Sequence, residues 1–186
     1  MRTLAIMIVA VAGAAPSIAQ EVDTVLGPDS ESYFYAAAVA KLSEVDSEFA
    51  TYLGFNLGWV FDENFSLGVG FYGLAHPTSR RNAGYGGLLL EGFVSGTSSV
   101  HFGVRALVGG GYTEPDYRRH HGHGGDFGRD GRSFFVAEPE LLLRINLSQS
   151  LRISLSGGYR FVEGGGSAND EALSAATGSL AFAVRF

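Results

Sequence analysis

The sequence predicts an all-β protein: an eight-stranded, antiparallel, up-and-down transmembrane β-barrel. Three observations carry that prediction. From Tyr33 onward, apolar side chains recur at every second position, the period of strands and not of helices. Eight such runs follow one another, and the links between them alternate between short and long. The face opposite each apolar row is small and glycine-rich, with a few isolated charges, unlike the Lys/Glu/Thr-rich face that a soluble strand turns to water.

The chain opens with Arg2, an apolar stretch over Leu4–Ala12, a break at Pro16 and the small-x-small exit Ser17-Ile18-Ala19. That is the pattern of a secretory signal peptide, residues 1–19, cleaved after Ala19. The alternative, a membrane anchor, needs ~20 apolar residues, and the stretch is shorter. Residues 20–32 read as a polar lead-in, and residues 33–186 as the barrel.

The expected strands are 33–42, 49–61, 65–75, 85–96, 100–112, 133–146, 151–162 and 174–186. Each is close to the ~9–11 residues of a tilted membrane-crossing strand. In the second, Leu53, Phe55, Leu57, Trp59 and Phe61 oppose Tyr52, Gly54, Asn56, Gly58 and Val60. In the fifth, Phe102, Val104 and Val108 oppose His101, Gly103 and Arg105. In the seventh, Ile153, Leu155, Tyr159 and Phe161 oppose Arg152, Ser154, Gly158 and Arg160. Soluble barrels and sandwiches alternate too, with the apolar face inward. Here every strand has a large apolar face and there is no helix to cover it, so that face is expected to meet lipid.

Asp62-Glu63-Asn64, Thr97-Ser98-Ser99 and Ser148-Gln149-Ser150 read as tight turns. Longer links are expected from Ser43 to Glu48, His76 to Gly84, Thr113 to Arg132 and Glu163 to Leu173. Short periplasmic turns and long extracellular loops are the asymmetry of outer-membrane barrels. Trp59, Phe61 and Phe65 flank the first turn, and Tyr112, Phe134 and Phe135 flank the longest loop, where interfacial aromatic girdles belong. The chain ends on Leu180, Phe182, Val184 and Phe186, an alternating apolar row that reads as the signal taken up by the barrel-assembly machinery.

Composition narrows the function. The 186 residues include 27 Gly, 14 Phe, 8 Tyr and no Cys, with a net charge of −6. The acidic balance argues against nucleic acid as a partner. Without Cys there are no disulfides, thiol chemistry or Cys-based metal sites. Gly109-Gly110-Gly111 and Gly164-Gly165-Gly166 lack the Lys and following helix of a phosphate loop.

With Gly54-Phe55-Asn56-Leu57-Gly58-Trp59 and Gly68-Val69-Gly70-Phe71-Tyr72-Gly73 added to the strand count, loop asymmetry and terminal Phe, the chain resembles the small outer-membrane β-barrel proteins of the OmpA/OmpX and opacity-protein type over residues 33–186. The resemblance implies an architecture and a place in the outer membrane. It fixes no activity, because one fold hosts several.

Lys41, Glu91, Arg105, Glu138, Glu140, Arg144, Arg152 and Arg160 fall on the inward face as a structural charge network, with Glu91 opposite Arg105 and Glu138 opposite Arg160. His120, His121 and His123 in the longest loop are candidate metal ligands, though they sit among glycines with no rigid spacing. Arg118, Arg119, Arg129 and Arg132 could meet lipopolysaccharide phosphates or the loop's own Asp116, Asp126 and Asp130. His76 and Ser79 share a loop, but no set of nucleophile, base and orienting group is recognisable, so no enzyme and no cofactor is expected. The expected role is a structural or surface-interaction platform: a monomer in contact with outer-membrane lipids. A narrow ion or solute channel comes second, a lipid-modifying enzyme third, and a soluble periplasmic barrel holding an apolar ligand last.

Overall fold

A computed structural model describes residues 32–45, 48–61, 64–75, 81–94, 99–115, 132–164 and 167–186. They form eight strands: β1 (Ser32–Val45), β2 (Glu48–Phe61), β3 (Phe65–Leu74), β4 (Arg81–Val94), β5 (Val100–Pro115), β6 (Arg132–Asn146), β7 (Leu151–Glu163) and β8 (Ala175–Arg185). Each pairs antiparallel with its sequence neighbours, and β1 pairs with β8 from Tyr35↔Arg185 to Leu42↔Gly178. The sheet is therefore a closed up-and-down barrel, and closure leaves no strand edge unpaired.

The period-two pattern sets the faces. Leu53, Phe55, Trp59, Phe102, Val104, Leu141 and Phe161 point outward and are 48–73% exposed. Tyr35, Tyr52, Leu89, Leu107 and Val136 point inward and are buried. The inward glycines make room. Gly87 on β4 faces Gly109 on β5, and a Cβ on Gly109 would lie 2.5 Å from the Cα of Gly87.

Several element bounds differ from the sequence expectation. β1 and β2 are separated only by residues 46–47, so the long link expected from Ser43 to Glu48 is a tight hairpin. β4 begins at Arg81 and β5 runs to Pro115, both beyond the apolar rows. Paired strands satisfy their backbone groups whether or not their side chains alternate, so the ladder outruns the hydrophobic pattern. A short helix, α1 (Ser167–Leu173), lies in the link before β8. It is too short to leave a helical period in the sequence, and it buries Leu173.

One end of the barrel, the turn end, carries the C-terminus, the start of β1 and an aromatic cluster. Phe34 lies 5.1 Å from Trp59 and 6.1 Å from Phe186, ring to ring, and Phe61 lies 6.2 Å from Phe65. At the loop end Tyr112 and Phe135 are exposed, whereas Phe134, expected in the same girdle, points inward and is buried. Adjacent strand residues cannot share a face, so only one of Phe134 and Phe135 could reach outside. Residues 1–31, which hold the expected signal peptide and most of the expected lead-in, lie outside the described residues.

Candidate functional site

Among the described residues, eight charged side chains are buried in the interior. Three acids and three bases form one connected cluster at mid-barrel. Lys41 on β1 reaches across to β6, with its Nζ 2.9 Å from Glu138 Oε2 and 3.2 Å from Glu140 Oε1. Arg105 on β5 donates from Nε to Glu91 Oε1 at 2.7 Å and from Nη1 to Glu140 Oε2 at 3.2 Å. Arg144 on β6 passes behind β5 to donate to Glu91 Oε2 at 2.7 Å, and Ser66 Oγ donates to the same oxygen at 2.7 Å. All six charged residues are buried.

Charge alternates through the chain of contacts: Lys41, then Glu138 and Glu140, then Arg105, Glu91 and Arg144. Each carboxylate meets at least one cation, which is the condition for keeping an ionised group out of water. Neutral side chains extend the cluster. Tyr85 donates to Glu138 Oε2 at 3.1 Å, and Tyr72 donates to Asn56 Oδ1 at 2.7 Å. Lys41 Nζ also sits 4.2 Å from the centre of the Tyr72 ring, within cation–π range.

Arg160 stands apart from this cluster, toward the loop end. Its strand position is in register with Glu138, as the turn geometry predicts, but the two form no ion pair. Glu138 is taken by Lys41 from across the barrel. Arg160 instead donates to the carbonyl of Leu173 at 2.7 Å, to Ser43 Oγ at 3.1 Å and to the carbonyl of Glu44 at 3.3 Å. Its guanidinium lies over the rings of Tyr52 and Tyr85 at 4.8 and 5.3 Å. It thereby ties α1 to the β1–β2 hairpin.

The turn end holds a second basic group. Arg152 donates to the Tyr33 hydroxyl, and Arg152 and Arg185 lie 4.6 and 3.9 Å from the Tyr33 ring. His101 is buried, with its Nε2 2.8 Å from Asn146 Nδ2, and its ring meets Phe93 edge-on. Sequence reasoning did not single out the tyrosines. Their inward positions were legible from the period, but which cation each ring meets depends on cross-barrel distances.

His120, His121 and His123 lie outside the described residues, as do Arg118, Arg119 and Arg129. Among the described residues no cluster of three His, Asp or Glu is arranged to hold a metal ion. Leu180, Phe182, Val184 and Phe186 all face outward along and beyond β8, and are 37–73% exposed.

The closed eight-stranded barrel has counterparts among solved structures. Neisserial surface protein A superposes with a TM-score of 0.54 at 11% identity, covering 84% of this chain and 97% of that one. The N-terminal β-barrel domain of Pseudomonas aeruginosa OprF does so at 0.54 and 12%, over 82% and 97%. Ail, the attachment invasion locus protein of Yersinia pestis, gives 0.53 and 15%, over 83% and 97%. The fold is that of the small outer-membrane β-barrels. At such identities the likeness is one of fold. No protein-family model and no curated protein sequence matches the chain. In this transmembrane barrel, the outward rows of Leu, Phe and Val are the surface that hydrocarbon covers.

Proposed function

We propose that this chain is an integral outer-membrane protein whose filled barrel is a rigid platform for its loop end, with surface contact as its role. The observation that carries the reading is the buried, charge-balanced cluster of Lys41, Glu91, Arg105, Glu138, Glu140 and Arg144. An eight-stranded barrel leaves an interior just wide enough for side chains. Here that width is spanned by paired charges and tyrosine rings, an arrangement that favours stiffness over passage. The surface-contact role agrees with the character of the similar structures, one named a surface protein and another an attachment protein.

Export by the N-terminal signal, insertion through the barrel-assembly machinery using the row that ends in Phe186, and a monomer surrounded by lipid all belong to the same reading. Planar-bilayer recording of the purified protein tests it. The expected result is no stable single-channel current. A large, long-lived conductance would replace the platform with the channel. Heat-modifiable migration on a denaturing gel and a need for detergent in extraction are expected as well. Release into buffer without detergent would remove the membrane assignment.

A further inference from the structure

Proline has no N–H to give a ladder, so within sheets its place is an edge strand or a bulge. A closed barrel has no edge strand, yet Pro139 stands in the middle of β6. The β5–β6 ladder passes through it without a break, at Ala106↔Pro139. The β6–β7 ladder does not. It runs from Phe135↔Glu163 to Ala137↔Phe161, then resumes at Glu140↔Gly158 and continues to Asn146↔Arg152. The ring nitrogen of Pro139 therefore faces β7, and the Tyr159 carbonyl opposite lacks the donor that a ladder would supply.

The two sides of this gap are bonded away from each other. On β6, Glu138 accepts from Lys41 of β1 and from Tyr85 of β4. On β7, Arg160 donates to the Leu173 carbonyl of α1 and to Ser43 and the Glu44 carbonyl of β1. The Val162 amide donates to Ser174 Oγ, in the link before β8. On the turn side of the gap the strands are pressed together, since a Cβ on Gly158 would run into the Pro139 carbonyl oxygen. A short link, 147–150, joins them there. On the loop side the ladder is short, Phe135–Ala137 against Phe161–Glu163.

Lys41 stands on the inner side of the gap. Its Nζ lies 2.9 Å from Glu138 and 3.2 Å from Glu140, the acids before and after Pro139. It thereby ties the proline segment of β6 to β1, past the β7–β8 hairpin. A sequence that breaks a local rule at one position, and then brackets that position with a buried ion pair, marks a place where the fold is built to differ from the rest of the wall.

We propose that the loop-end half of the β6–β7 seam is a notch that opens and closes, with Pro139 at its apex and Lys41 as its inner latch. Strands that span a membrane have no water to replace a broken ladder bond, so a barrel wall resists parting. Pro139 removes one such bond from this seam and lowers that resistance locally. Opening moves the loop ends of β6 and β7 apart while the turn end stays shut. The inference rests on the ladder and its side-chain bonds, and not on the surface-contact role.

Amide hydrogen exchange of the whole barrel in detergent micelles, read residue by residue by NMR, tests the notch. The amides of Phe135, Ala137, Phe161 and Glu163 are compared with those of Gly86, Leu88, Val108 and Gly110, which occupy the same register rows in β4–β5. The notch amides are expected to exchange at least about tenfold faster than the β4–β5 set. Pro139→Ala restores an N–H to the seam and should slow the notch amides about tenfold, with the β4–β5 set unchanged. Lys41→Met, once shown to keep heat-modifiable migration, should speed the notch amides further. Pro139→Ala decides the notch by itself if Lys41→Met does not fold. Equal exchange in the two wild-type sets, or no slowing in Pro139→Ala, overturns the notch. Slowing of both sets in Pro139→Ala overturns it as well, because the whole barrel was then steadied. Unchanged exchange in folded Lys41→Met removes Lys41 as the latch.

Discussion

Arg105 grips Glu91 with two nitrogens on one oxygen: Nε at 2.7 Å and Nη2 at 2.6 Å from Oε1. The other oxygen of Glu91 belongs to Arg144 and Ser66, so this one carboxylate holds two guanidinium groups inside the barrel. Glu91→Gln removes the charge and keeps the shape. It should cost about 3–5 kcal/mol, because it takes the counter-charge from buried Arg144 and leaves Arg105 with Glu140 alone. Urea unfolding of protein refolded into lipid vesicles reads this directly. A loss within 1 kcal/mol of wild type, or on that order, would show that water already compensates the two arginines.

Arg160 bears on the loop end and not on the central cluster. Arg160→Met removes its bonds to the carbonyls of Leu173 and Glu44 and to Ser43. The expected result is local: hydrogen bonds to a charged donor are worth about 1.5–3 kcal/mol, so amide exchange across 167–174 should quicken at least tenfold. Exchange in β4 and β5 should hold. Uniform loosening of all eight strands would mean that Arg160 supports the whole barrel.

Glycine substitutions should divide by the room at each position. Gly109→Val drives a branched side chain into the backbone of β4 and should prevent formation of the compact, heat-modifiable form. Gly73→Ala adds a methyl group in open space and should leave the unfolding midpoint within about 0.5 kcal/mol of wild type. Equal tolerance of both changes would contradict the difference in room between Gly109 and Gly73.

Phe186 combines a structural and a proposed assembly role, and the two can be separated. Its amide donates to the Phe34 carbonyl at 3.0 Å, and its ring sits 6.1 Å from that of Phe34. Phe186→Ala keeps the backbone bond and loses an exposed ring, so the refolded protein should lose only about 1 kcal/mol in vitro. In cells the same variant should accumulate as unassembled, protease-sensitive chain. Normal assembly in cells would remove the terminal row as an insertion signal.

The sequence by itself determined the strand count, the faces and the direct neighbour Glu91–Arg105. All three follow from a period of two and from short turns, which tie each residue to a known partner on the next strand. Glu138 and Arg160 show where that reasoning stops: they are in register, yet Lys41 arrives from β1, 97 residues away in sequence, and takes the carboxylate. Side chains in a barrel this narrow reach past their neighbours to strands across the interior, and no local pattern records which strand lies opposite. The tertiary structure likewise decided that β1–β2 is a tight hairpin, that α1 is held by Arg160, and that Gly73 and Gly84 meet on the outer wall. The reach of Lys41 to Glu138 and of Arg160 to Ser43 depends on closing β1 against β8, which sets distances that a linear pattern does not contain.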